Sequence, residues 1–149
     1  MNRTDLIMFL HEQKWAVQAS VGPGSAPQAA VIGVAVTDRL ELVFDTLGDT
    51  RKAANLRANP LIALVVGWDD GQTVQLQGMA DEPTDAELAR LKRVYLAKFP
   101  DGVARETLPQ ITYFRVFPNW VRYSDFRSDP PVILTWSGET FFDLMNAPR

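Results

Sequence analysis

The stretch FDTLGDTRKAANLRANP, residues 44–60, decides how this chain is read. A β-prone run ends at Thr46, and Gly48-Asp49 turns the chain. Thr50 then stands where a helix N-cap stands, directly before Arg51 and Lys52. Asn59-Pro60 stops that helix early, because the residue before a proline is pushed out of the helical region. Two cations in a first turn oppose the helix dipole. A bound anion offsets them, and phosphate is the first candidate. Arg51 offers a planar fork, Lys52 a point charge, and the free N–H groups of Arg51, Lys52 and Ala53 point along the axis. Asp49 beside them is expected to turn to solvent or to pair with Arg51. By itself the stretch is equally described as an exposed helix start with solvated charges, so the rest of the chain has to decide.

Upstream, Asn2 or Thr4 can cap a first helix running to about Gln13. Residues 14–21 alternate, with Trp15, Val17, Ala19 and Val21 on one face and Ala16, Gln18 and Ser20 on the other, which is a strand. Gly22-Pro23-Gly24-Ser25 is turn chemistry. Residues 28–36 form a second strand and 40–46 a third, joined by short turns into an antiparallel meander. Downstream, residues 61–66 are apolar on both faces and predict a central strand. Residues 72–80 alternate until Gly78, which marks a bulge or a close approach of backbone. Thr84-Asp85-Ala86-Glu87 has the pattern of a capping box, opening a helix that Pro100-Asp101-Gly102 ends. Strands follow at 111–117, continuing through 119–124, and at 132–136. A loosely held tail is expected beyond Gly138. The fold class is mainly β with some α: six or seven antiparallel strands in a small barrel, with three short helices on its flanks.

The 149 residues fit one domain over 1–149, and 46% hydrophobic with 22% charged residues is an ordinary globular composition. A net charge of -3 argues against broad nucleic-acid binding. No apolar run approaches the ~18 residues of a membrane span. The acidic, short-apolar N-terminus does not read as a secretion signal, and a cytoplasmic location is expected. With no cysteine and one histidine, His11, thiolate chemistry and His-rich metal sites are excluded. His11 follows an apolar helix and reads as a cation-capable residue near its C-terminus. Hard chemistry in such a chain belongs to a cofactor.

The order of parts is similar to that of the pyridoxamine 5′-phosphate oxidase-like family of FMN-binding split barrels. The resemblance covers residues 27–80: two strands, FDTLGDTRKAANLRANP, the apolar strand LIALVV and then TVQLQGMA, with a weaker echo in YFRVFPNWVRYSD. It implies a split β-barrel and FMN as cofactor. Arg51 and Lys52 would hold the FMN phosphate beside Thr50. Phe44, Asp45 and Thr46 would meet the flavin ring and ribityl chain, partly through backbone. Ala29, Ala30, Val31 and Ile32 would run past the isoalloxazine edge. Gln75 or Gln77 would reach the flavin from the next strand, with Thr73 a third candidate there, and Trp120 and Tyr123 would border it. The resemblance also implies a homodimer with the flavins near the interface and a small-molecule substrate.

The departures from the family are specific. Ala30 and Ala35 stand where the pyridoxamine-phosphate oxidases carry an Arg and a Lys, and no Arg-x-His segment follows a late Trp. The expected activity is therefore an FMN-dependent oxidoreductase of a small molecule that is not an efficient pyridoxamine-phosphate oxidase. No catalytic side chain is singled out. A non-catalytic flavin-binding or sensing module and a deazaflavin F420-dependent reductase stand as alternatives, and haem binding is disfavoured by the lone His11.

Overall fold

The computed structural model describes residues 1–148. In chain order the elements are α1 (Arg3–Glu12), β1 (Trp15–Val21), β2 (Pro27–Gly33), β3 (Ala35–Val36), β4 (Leu42–Leu47), α2 (Arg51–Ala58), β5 (Leu61–Val66), β6 (Gln72–Asp81), α3 (Asp85–Lys98), α4 (Gly102–Arg105), β7 (Ile111–Asp125), β8 (Val132–Ser137) and α5 (Gly138–Asn146). The strands make one antiparallel sheet in the order β2-β1-β5-β6-β7-β4-β3, with β8 paired to the second half of β7. The expected second strand is divided at Val34, which raises the strand count to eight. Its first part pairs with β1 and its last two residues pair with β4, so one run of chain stands at both ends of the sheet. The sheet therefore curls into a barrel that stays split between β2 and β4, as the split-barrel reading requires; the expected three-strand meander is interrupted there, because only Ala35 and Val36 of the second run pair with β4.

The core lies inside this curl. Phe44 and Phe114 face each other across β4 and β7, fully buried, with ring centroids 5.6 Å apart and planes 20° from parallel. Leu42, Leu64, Leu76, Val116 and Val121 surround them. A second, smaller cluster lies outside the sheet, where α3 covers Ala35, Val43 and Tyr113 with Leu91, Tyr95 and Phe99. Strand β1 turns its more polar set inward: Ala16, Gln18 and Ser20 are buried, while Trp15 is half exposed. The bulge falls at Gln77/Gly78, where Pro118 has no N–H for the ladder. A Cβ at position 78 would sit 2.1 Å from the Phe117 carbonyl oxygen, so glycine is required there.

Three local expectations need correction. Thr84 makes no side-chain cap. Glu87, the other half of the expected box, instead accepts from Arg90 at 2.8 Å and Arg115 at 2.6 Å, because two guanidinium groups outcompete one backbone N–H. Residues beyond Gly138 are not a loose tail: Ser137 and Thr140 close a capping box, and Leu144 of α5 is buried in the main core. Among the described residues the α-helices therefore number five, counting the single turn α4, rather than three.

Helix α3 is clamped to the sheet by Glu41, which takes both nitrogens of the Arg90 fork at 2.9 Å and lies 3.4 Å from Arg115. Burial pushes the Glu41 carboxyl up, but hydrogen bonds from Arg90 and Thr37 and the charges of both arginines outweigh it and hold it below its ordinary value.

Candidate functional site

The site forms where α2 closes the split. Leu47 ends β4, the turn folds back as the Thr50 N–H donates to the Leu47 carbonyl at 3.2 Å, and Thr50 caps α2 by accepting from the Ala53 N–H at 3.4 Å. Among the described residues, the Arg51 and Lys52 N–H groups find no acceptor. Lys52 donates to the Thr46 hydroxyl at 3.3 Å, and Thr46 lies 3.1 Å from the Thr50 hydroxyl. The Arg51 guanidinium is exposed and, among the described residues, takes part in no hydrogen bond or ion pair. Asp49 turns to solvent rather than pairing with it.

These groups open onto a cavity of about 320 Å³, shared with Ala29 and Ala30 of β2 and with Gln18, Ser20 and Gln28. Buried Asn55 of α2 donates to Ser20 Oγ at 3.1 Å and to Gln28 Oε1 at 2.9 Å, which ties the helix to both strands of the far wall. The cavity is thus cationic at one end and neutral and polar at the other. Gln18, only 1% exposed, has a side-chain oxygen with no hydrogen-bond partner. A buried amide oxygen without a partner, an unpaired guanidinium and two free helix N–H groups suit an anion carrying further hydrogen-bonding groups. Phosphate esters such as FMN fit that description.

The structure brings some of the sequence-derived residues together and separates others. Ala29, Ala30, Thr50, Arg51 and Lys52 share the cavity. Thr46 is buried just behind it, bonded to Lys52. Ile32 and Phe44 are buried in the core, so neither side chain is open to a ligand. Asp45 points the other way, towards α3, accepting from Tyr95 at 2.8 Å and from Arg105 at 2.9 Å. Burial, with Asp45 beside it, pushes the Tyr95 hydroxyl up. Val31 stands on the outer face in register with Val17, Val65, Gln75 and Arg122, and the next row holds Ala29, Ala19, Ala63, Gln77 and Trp120. Gln75 and Gln77 of β6 are therefore three strands from β2, about 14 Å at ordinary strand spacing, and Trp120 of β7 is four, about 19 Å. Tyr123 is a packed core residue, edge-on to Phe9.

Gln18, Ser20, Gln28 and Asn55 are site residues that the sequence reading missed. Their only signal was polarity on one face of a strand and inside a short helix. That signal has meaning only once it is known which face the barrel encloses. His11 sits in the last turn of α1, as expected, and lines a separate cavity with Thr37, Arg39 and Arg90. Among the described residues no group of His, Asp or Glu could hold a metal ion, and no helix is long and apolar enough to cross a membrane.

Comparison with known proteins places this geometry. No curated protein matches the chain. Among solved structures, a heme-binding protein from Mycobacterium smegmatis superposes with a TM-score of 0.79 at 14% identity, over 93% of this chain and 59% of its own. A protein of unknown function from Agrobacterium tumefaciens gives 0.72 at 19% identity, over 80% of this chain and 56% of its own. The chain thus spans less than two thirds of the length of these two. An FMN-binding, pyridoxamine 5′-phosphate oxidase-related protein from Nostoc punctiforme gives 0.70 at 14% identity, over 91% and 90% of the two chains. At these identities the likeness is one of fold. The family model for pyridoxamine 5′-phosphate oxidase matches residues 6–125, which span β1 to β7, the α2 cap and the cavity. The chain therefore belongs to the pyridoxamine 5′-phosphate oxidase-like family of split barrels.

Proposed function

We propose that the protein binds one FMN per subunit and serves as a cytoplasmic flavin-dependent oxidoreductase for a small molecule. The observation that carries this reading is the cationic end of the cavity, where partnerless Arg51, Lys52 and two free helix N–H groups converge. Thr50 orients that turn, and Lys52, held by Thr46, keeps its charge at the cavity mouth. When bound, FMN supplies hydride and single-electron transfer. Small side chains at Ala29 and Ala30 leave room beside the anion site for the rest of the molecule. Denaturing the purified protein should release FMN, identified by absorbance and mass. Oxidation of NADH or NADPH by the loaded protein would separate an oxidoreductase from a flavin-sensing module. Release of F420, or of no flavin after growth with riboflavin, would refute the FMN assignment.

The same reading includes a homodimer. The outer sheet face is open and apolar: Val31 is 63% exposed, Leu61 54%, Met79 48%, Phe117 44% and Val65 38%. Leu61, Met79 and Phe117 form one cross-strand row, Val31 and Val65 share another, and the alanines Ala29, Ala19 and Ala63 of the row between them join the two. Such a patch favours association. A second copy docked there would bring its own Gln75, Gln77 and Trp120 towards the cavity, which a single subunit cannot do. Light scattering should give twice the 16.7 kDa chain mass. Val65→Arg should yield monomers that still fold; a wild-type monomer at saturating FMN would contradict the dimer.

A further inference from the structure

Gln18 is the most conspicuous unspent group in the molecule. It lies on the inner face of β1, paired in register with Ala30 of β2 and Leu64 of β5, neither of which can hydrogen-bond through its side chain. Its side chain is 1% exposed and its amide oxygen, buried, has no hydrogen-bond partner. The nearby polar groups are already engaged with each other. Both amide hydrogens of Asn55 are committed, one to Ser20 and one to Gln28. A buried polar group left unbonded is costly, and native proteins rarely keep one without a use. Rotating the amide about its last bond exchanges oxygen and nitrogen, so it can offer either an acceptor or a donor.

Position assigns the use. Gln18 lines the same cavity as Thr50, Arg51 and Lys52, but on the opposite wall, beside Ser20. A bare phosphate satisfies the α2 end and leaves Gln18 untouched. A phosphate ester with hydroxyl groups on the adjoining carbons fills both ends. We propose that Gln18 is a specificity-determining residue that hydrogen-bonds a hydroxyl next to the ester phosphate, so that the cavity selects hydroxylated phosphate monoesters over inorganic phosphate. The proposal deepens the FMN reading, whose ribityl chain is such a polyol, but it does not need the flavin ring.

The test uses the full chain, freed of ligand, with FMN, glycerol 3-phosphate and orthophosphate as separate probes. Gln18→Met keeps the volume and removes the amide. Ligand-free Gln18→Met should melt about 2–6 °C higher than wild type, because the unbonded polar group is gone. Its affinity for FMN and for glycerol 3-phosphate should fall about five- to tenfold, the loss of one ordinary hydrogen bond. Its affinity for orthophosphate, read from the ligand-induced rise in melting temperature, should stay within about twofold. Gln18→Leu repeats the experiment with a second apolar shape should the first variant not fold. A lower melting temperature with unchanged affinities would make Gln18 a purely structural residue. Equal losses for all three probes would place its action on the phosphate, and either result overturns the proposal. If wild type binds glycerol 3-phosphate but not FMN, the cofactor reading falls and the glycerol 3-phosphate comparison alone decides Gln18. Binding of none of the three overturns both.

Discussion

Pyridoxamine 5′-phosphate should be oxidised by the FMN-loaded protein about a thousandfold less efficiently than by a site that keeps two cations for the substrate's phosphate. Each missing charge-assisted hydrogen bond removes ~1.5–3 kcal/mol, and two of them together remove about 3–6 kcal/mol from the barrier advantage. The structure supports this loss position by position. Ala30 faces the cavity with a methyl group. Ala35 is 2% exposed beneath α3, packed with Leu91 and Tyr95, where no cation could stand without a partner. Arg115 is the obvious replacement by sequence, yet it is fully engaged with Asp81, Glu41 and Glu87. Arg122 remains available, exposed over the Trp120 ring and bonded only to Thr135. Beyond Trp136 the chain turns directly into α5, with no Arg-x-His segment. Steady-state formation of pyridoxal 5′-phosphate, measured beside NADH- and NADPH-driven reduction, checks the expectation. Efficient turnover would mean that Arg122, or a group from a second subunit, grips the substrate phosphate.

Arg51→Ala and Lys52→Ala should each weaken FMN binding by about 1.5–3 kcal/mol, roughly ten- to a hundredfold. The two differ in what else they disturb. The Arg51 side chain has no partner among the described residues, so its removal should leave the melting temperature of the ligand-free protein unchanged. Removing a cation from the first turn of α2 relieves the dipole slightly, if anything. Lys52 donates to Thr46, so Lys52→Ala also loosens the end of β4. Flavin fluorescence titrations at two salt concentrations read both effects, since the lost term is electrostatic and screened. Unchanged affinity in both variants would remove the phosphate site from α2.

Much of this architecture was legible from residue order because the controlling interactions are local. The Gly48-Asp49-Thr50 turn, the α2 cap and the stop at Pro60 depend on neighbours within four residues. The alternation of β6 and the apolar run of β5 identify strands without knowledge of their partners. A local pattern fails, however, when a distant group competes for the same atom. Glu87 leaves its capping role for Arg90 and for Arg115, 28 residues away. The last helix was hidden because its buried anchor, Leu144, gains its value only from the core it enters.

What the sequence determined by itself was the set of strands, the short helix between them and the pairing of cations with a helix N-terminus. Only tertiary structure decided which face of β1 turns inward, because an alternating strand with Ala, Gln and Ser on one side and Trp, Val and Ala on the other can bury either. Curling the sheet so that β2 and β3 stand at its two ends encloses the Gln18 face. The same curl sends Phe44 into the core and Asp45 towards α3, out of reach of the cavity that Thr50, Arg51 and Lys52 line. Burial is a property of closure, and closure depends on contacts that no single stretch of sequence contains.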